Sequence, residues 1–269
     1  MNALGGPDSK VIKAELVAEA LRHEIAIGLR VAGSQLPPEV ELMRRYAISR
    51  PTCREALRLL ESEGLIRIGR GPSGGARVTV PTVQWISRHV GILLQLRSAP
   101  LKDLYAARLA YEPLAARAIA ERRDQAALKD LAQCAAAQEF TVDDRVAFNM
   151  HEASFRSLLL QHSGNEVLGL MGAVLDDVLR RHMAHDIHRF ILTEEAVEHR
   201  AAAAKGKQRL VRLMAEGDAE GAVKIWTQYI ETYWVRIAAK VGDQAAIEVY
   251  HAGAAPLSMT DCQASSSAA

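Results

Sequence analysis

The chain has 269 residues, 33 Lys/Arg against 32 Asp/Glu, and is 49% hydrophobic but only 5% aromatic. That length suffices for two domains with buried cores, and abundant alanine with few aromatics favours packed helices over a β-sandwich. No apolar stretch approaches the ~20 residues of a membrane span, which excludes a helical membrane protein. Residues 1–10 lack the basic and apolar regions of a secretory signal. Cys53, Cys134 and Cys262 are odd in number and far apart, so neither a disulfide framework nor a zinc pattern is expected. A reducing cytoplasm follows as the expected location.

In chain order, residues 1–9 read as a flexible arm and 10–80 as a first domain. Ser9–Leu29 reads as a helix with Val17, Leu21 and Ile25 on one face. Pro38–Tyr46 is a short helix opened by prolines, and Ala47-Ile48 a tight turn. The next helix begins at Ser49, a good N-cap, with Pro51 in its first turn, where a missing amide costs nothing. Cys53, Ala56, Leu57 and Leu60 form its buried stripe. Arg50, Arg54 and Arg58 recur every four residues on another side, with Thr52 near the start. A face beginning Ser, Arg, Thr, Arg can enter a major groove, its amide end on phosphate and its arginines on guanine edges. The plain alternative is a solvated helix whose arginines pair with Glu55, Glu61 and Glu63.

The flanks favour the groove. Gly64 stops the helix, Leu65–Ile68 is a strand, Gly69–Gly75 a turn and Ala76–Val80 the return strand. This wing carries Arg67, Arg70 and Arg77. Between Arg30 and Val80 there are nine Lys/Arg and five Asp/Glu, a local +4 in a chain that is +1 overall. The unit is a winged helix-turn-helix.

Residues 17–80 resemble the DNA-binding domain of the GntR family of bacterial regulators. The matching motifs are Ile25-Ala26-Ile27-Gly28, Leu36-Pro37-Pro38-Glu39, Ser49-Arg50 with Arg54-Glu55-Ala56-Leu57, and Leu60 with Gly64-Leu65-Ile66. The resemblance implies DNA contacts from Ser49, Arg50, Thr52 and Arg54, and minor-groove approach by Gly74 or Gly75. Arg70, in the basic wing, is expected to act mainly on phosphate. Val40 departs from the family, which commonly has arginine there.

Beyond the Pro81-Thr82 linker, strand signals nearly vanish. Residues 81–100 read as linker and connecting helix (Val83–Arg97), and 101–241 as an all-helical domain. Its helices are expected at Leu101–Arg122, Asp124–Glu139, Val142–Gln161, Glu166–Phe190, Glu194–Glu216 and Ala219–Val241. Residues 242–269 turn Ser/Ala-rich without periodicity and read as a mostly disordered tail. The fold class is mainly α, a winged helix-turn-helix followed by a helical bundle.

The helical half resembles the effector and dimerisation domain (FCD type) of the FadR subfamily of GntR regulators. The resemblance rests on Asp103-Leu104, Arg108 and Glu112, on Phe155 before Ser163-Gly164-Asn165, and on Gly217-Asp218. Many such domains hold a divalent metal through Asp-x-x-x-His and two later histidines. The corresponding positions here are Glu152, Arg156, Lys207 and Tyr229. Arginine and lysine stay cationic and are not ordinary ligands, so the metal site reads as dismantled, with no metal and no cofactor expected. Glu152 and Arg156 are spaced for an internal ion pair.

His182, His185 and His188 step around a helix end and cannot easily share one ion, so they read as surface or pocket-lining. His199, in Glu198-His199-Arg200, is out of register with the family's metal histidine. Arg108 sits on an apolar face with Leu101, Leu104, Tyr111 and Ala115, where it either pairs with Glu112 or captures a carboxylate or phosphate. Trp226, Tyr229 and Tyr233 read as core or as an effector wall.

These features define a homodimeric transcriptional regulator, with repression the usual family polarity, on a pseudo-palindromic double-stranded operator. A small anionic effector, such as a hydrophobic acid or its CoA thioester, is expected in a metal-free pocket of Arg108, Glu152, Arg156, Lys207 and Tyr229. In this reading Glu112 and Glu152 neutralise two of three cations and leave room for one anion. The alternatives are a vestigial pocket with Lys207 reaching solvent, a metal-dependent regulator using His182 and His185, and an enzyme with an accessory winged helix. No Gly-rich phosphate loop, nucleophile elbow or paired carboxylate spacing supports the last.

Overall fold

The computed structural model describes residues 7–69, 75–186 and 194–250, with backbone alone at 7–10, 184–186 and 194–196. Arg70, Gly74, His188 and Cys262 lie outside the described residues, as does the side chain of His185. The chain divides into two compact units, residues 1–85 and 86–269.

In the first unit, helix α1 (Pro7–Ala26), α2 (Glu39–Tyr46) and α3 (Arg50–Ser62) precede a two-stranded antiparallel hairpin, β1 (Ile66–Ile68) and β2 (Ala76–Val78). Ala47 takes the left-handed conformation (φ 50°), and the amide of Ile48 returns to the carbonyl of Met43, so α2 ends abruptly. Ser49 then caps α3, its hydroxyl accepting from the Thr52 amide at 3.4 Å. The stripe Cys53, Ala56, Leu57 and Leu60 is buried against Val17 and Leu21 of α1, Leu42 of α2, and Ile66 and Val78 of the hairpin. Gly64 (φ 74°) ends α3 where a side chain would be strained. The stretch 33–36 runs beside β2, the Leu36 amide donating to Ala76 O and the Val78 amide to Ser34 O.

The regular elements of the second unit are all helices among its described residues: α4 (Val83–Leu96, whose first three residues precede the division), α5 (Leu101–Arg122), α6 (Gln125–Glu139), α7 (Arg145–Gln161), α8 (Glu166–Asp186), α9 (Glu194–Glu216) and α10 (Ala219–Val241). Asp124, Asp144 and Asp218 cap α6, α7 and α10 through their carboxylates. Helix α5 packs along α10, α6 against α7 and α9, and α7 against α8. Tyr105, Ile119, Leu131, Phe155, Leu159 and Trp226 fill the centre.

The C-terminal expectation needs correcting for residues 242–250. Ile247 and Val249 are buried, Leu101 N–H donates to Ala245 O at 2.7 Å, and Ile247 N–H donates to Ala99 O at 2.8 Å. Gln95 Oε1 accepts from the amides of Val249 and Tyr250. The amide of Glu248 donates to Nδ1 of His182 at 3.2 Å. Two apolar side chains and this set of backbone bonds hold the segment as a strap, without any helical periodicity. His182 therefore faces the strap rather than a ligand pocket. Residues 251–269 lie outside the described residues.

Candidate functional site

Helix α3 presents its first turns to solvent. The Arg50 side chain is 75% exposed, and Arg54 and Arg58 are also exposed. The glutamates that might have neutralised them are mostly engaged elsewhere. Glu61 accepts from the Ile68 amide, Glu63 pairs with Arg22, and Glu55 alone reaches Arg58, at 3.7 Å. Arg50 has Glu39 at 3.5 Å, an exposed and weak contact. Arg54 has no ion pair among the described residues. In the wing, Arg67 and Arg77 stand directly opposite one another and both are exposed. Like charges in that register repel, and an anion between them would offset the cost. Gly75 sits against Gln35, whose Nε2 would lie 2.5 Å from a Cβ there.

Thr52 differs from its sequence-based assignment to DNA contact. It is 4% exposed, and its hydroxyl is bonded to Ser49 Oγ at 2.8 Å. Three residues past the cap, its side chain turns inward toward the core beside Cys53, so the hydroxyl serves the cap and not the groove.

In the helical unit, the expected effector residues meet in a buried layer of ion pairs. Arg108 holds Glu112 through two bonds, Nε–Oε1 at 2.6 Å and Nη2–Oε2 at 3.3 Å, and Trp226 Nε1 donates to Glu112 at 2.8 Å. Lys207 donates to Glu152, which also accepts from Tyr229 and, at 2.7 Å, from Gln138. Arg156 lies 3.6 Å from Glu152 and is paired with Asp176 on α8. No motif in the sequence marks Asp176 as a partner for Arg156. The place of Asp176 between the apolar run Ala173-Val174-Leu175 and, past Asp177, the apolar pair Val178-Leu179 is the signal that could have exposed it, because a carboxylate on a packed helix requires a cation.

Three cations thus meet three carboxylates, and the expected vacancy for one anion in this layer is filled by Asp176. Lys207, 1% exposed, does not reach solvent either. Burial opposes ionisation of Glu152, but Lys207 and then Arg156 hold its carboxyl down to about 2. Burial pushes the Lys207 ammonium below its ordinary range, partly countered by Glu152. Burial, and then the Glu152 charge, raise the Tyr229 phenol well above its usual value, so it stays protonated as a donor. These residues do not fit a divalent metal, since two of the four family positions are cations and the Glu152 oxygens are already taken.

A cavity of about 490 Å³ adjoins this layer, between the first turn of α7 and helices α8, α9 and α10. Of the five expected effector residues, Lys207 and Tyr229 line it; Arg108, Glu152 and Arg156 lie behind. Trp226 and Tyr229 stack at 4.8 Å between centroids, and Tyr229 and Tyr233 at 6.2 Å, making one aromatic wall. Lys207 Nζ lies 4.4 Å from the Tyr229 ring centroid.

A winged helix-turn-helix unit joined in one chain to a helical unit with a cavity is the architecture of a two-domain DNA-binding regulator. Residues 13–78 match the model of bacterial regulatory proteins of the gntR family, and residues 103–232 match the FCD domain. The chain belongs to the gntR family and carries its FCD domain. It is similar to the HTH-type transcriptional repressor NanR of Klebsiella aerogenes, 31% identical over 156 residues, covering 57% of this chain and 59% of that protein. The NanR repressor of Salmonella newport is 30% identical over 172 residues, covering 62% and 64%. The match thus spans about three-fifths of the length of these relatives. A solved structure of Streptococcus agalactiae GntR covers 83% of this chain and 99% of its own, with TM-score 0.62 at 22% identity, a likeness of fold.

Proposed function

We propose that the chain is a sequence-specific DNA-binding transcriptional repressor, homodimeric and cytoplasmic, whose hold on a pseudo-palindromic operator is set by a small effector in the helical unit. It acts by binding rather than catalysis. The observation that carries this reading is the solvent-facing start of α3, where Arg50 and Arg54 project beside the capped amide end. Such a helix end meets phosphate through its free amides while its arginines reach base edges. Arg67 and Arg77 of the wing, with Arg70 and Gly74 or Gly75 from the sequence between its strands, supply the flanking contacts.

The effector reading rests on the cavity beside Lys207 and Tyr229. An effector controls the operator only by binding two conformations unequally. Arg108, Glu152 and Arg156 would act through the ion-pair layer, by holding Lys207 and Tyr229 in place. Small anions suit the cationic lining of the cavity.

Fluorescence anisotropy with labelled operator DNA tests the DNA role. Arg50→Ala is expected to cost about 1–3 kcal/mol and to relax preference at one position in each half-site. Arg67→Ala is expected to weaken all sequences alike and to reduce the salt dependence. Unchanged operator affinity in the Arg50→Ala, Arg54→Ala double variant would remove α3 as the reading helix.

A further inference from the structure

Arg200, on the second turn of α9, lines the cavity and is only 9% exposed. Its Nε donates to the carbonyl of Val142, while its Nη2 is buried and has no hydrogen-bond partner among the described residues. The three buried cations of the neighbouring layer each have a carboxylate; Arg200 has none among the described residues. A buried guanidinium without a counter-charge is costly, and a bound anion would offset that cost. Arg209 and Arg236 also border the cavity, and no described Asp or Glu does.

The sequence of α9 explains the space. Ala202, Ala203 and Gly206 follow Arg200 on the cavity side and face the Trp226–Tyr229–Tyr233 wall of α10. A Cβ added at Gly206 would meet nothing within 4 Å. One side of the cavity is therefore shaved to small groups, the other is a stack of aromatic rings, and an unmatched guanidinium stands on its α9 side. With Nε engaged, the outer nitrogens of Arg200 still offer the two-donor fork that fits a carboxylate.

We propose that this cavity binds an organic carboxylate with a flat apolar body, its carboxylate on Arg200 and its body between the small-residue face of α9 and the aromatic wall of α10. This deepens the effector reading and rests on it, assigning the ligand class and an anchor separate from the ion-pair layer. Aromatic faces favour flat partners through offset stacking, and the cationic surroundings select against neutral ones.

The test is a fluorescence titration of the full chain, without DNA, using 1-pyrenebutyrate and its neutral counterpart 1-pyrenebutanol. The carboxylate is expected to bind saturably, one per chain, at least about tenfold tighter than the alcohol, the discrimination expected of one charge-assisted pair. Arg200→Gln is expected to erase that preference while leaving pyrenebutanol binding unchanged. Gly206→Leu grows into open space and replaces glycine by a better helix former, so it is expected to fold and to weaken both probes at least tenfold. No saturable pyrenebutyrate binding, equal affinity for the two probes, or undiminished binding in Gly206→Leu would overturn the proposal. An Arg200→Gln chain that folds and keeps the preference would do so as well. Operator affinity measured separately with and without pyrenebutyrate distinguishes the two readings: binding without any effect on the operator leaves the site standing and removes its control of DNA. An operator response to another small molecule, with no pyrenebutyrate binding, does the reverse.

Discussion

At the scale of single residues, the same residue type takes different work according to its surroundings. Thr52 and Ser49 are both hydroxyl residues at the start of α3, yet one is buried and serves the cap while the other opens the helix. Ala47 pays for the sharp turn before them by holding φ at 50°, a region that disfavours a Cβ. Ala47→Gly should therefore raise stability by about 0.5–1 kcal/mol in urea denaturation, relief of strain outweighing the added freedom of the unfolded chain. Glu152 carries the opposite sign of effect. Its folded-state value of about 2 lies below the ~4.3 of a free glutamate, so its contribution is fully present above the unfolded value and is lost as pH falls toward 2. Acid titration of stability should fall through that window, and Glu152→Gln should flatten the fall. At neutral pH the same variant should cost about 3–5 kcal/mol, because Lys207 would be left buried without its counter-ion.

At the scale of elements, the strap at residues 242–250 closes the end of the helical unit where α4, α5 and α8 meet. Val249 lies against Gly91, where an added Cβ would come 3.0 Å from Val249 Cγ1, so the strap is seated on a helix surface kept bare for it. Ile247→Ala should cost about 2–5 kcal/mol by thermal or urea denaturation, the range for emptying a fully buried aliphatic site. A tail that contributed nothing would leave the melting temperature unchanged. Alternation of Ile247 and Val249 is a two-residue signal, too short to separate from chance in a Ser/Ala-rich stretch. Helix α7 illustrates the more legible case: Asp144 accepts from the amides of Val146 and Ala147 at 2.9 and 3.0 Å, and that cap sets the turn carrying Arg145 and Phe148 to the cavity.

For the whole molecule, a repressor that reads two half-sites requires two copies of α3, and the full chain should sediment as a dimer at micromolar concentration. A monomer under those conditions would contradict the paired-site reading. The sequence by itself determined the elements and the class of protein. The limits of α5, α9 and α10, the cap at Ser49, and the stripe from Cys53 to Leu60 all follow from causes within a few residues of one another. Helical spacing, capping chemistry and glycine at positive φ act locally, so they can be read in a string of letters. Which charges meet was decided only by the tertiary structure. Nothing near Arg156 in sequence points to Asp176, twenty residues on and across a helix packing. Arg200 and Arg209 stand on one helix, and only the placement of α7 and α10 buries the first and leaves the second exposed. Charge pairing and desolvation depend on distances between helices, and those distances arise from the packing of apolar faces that carry no record of which ion lies opposite.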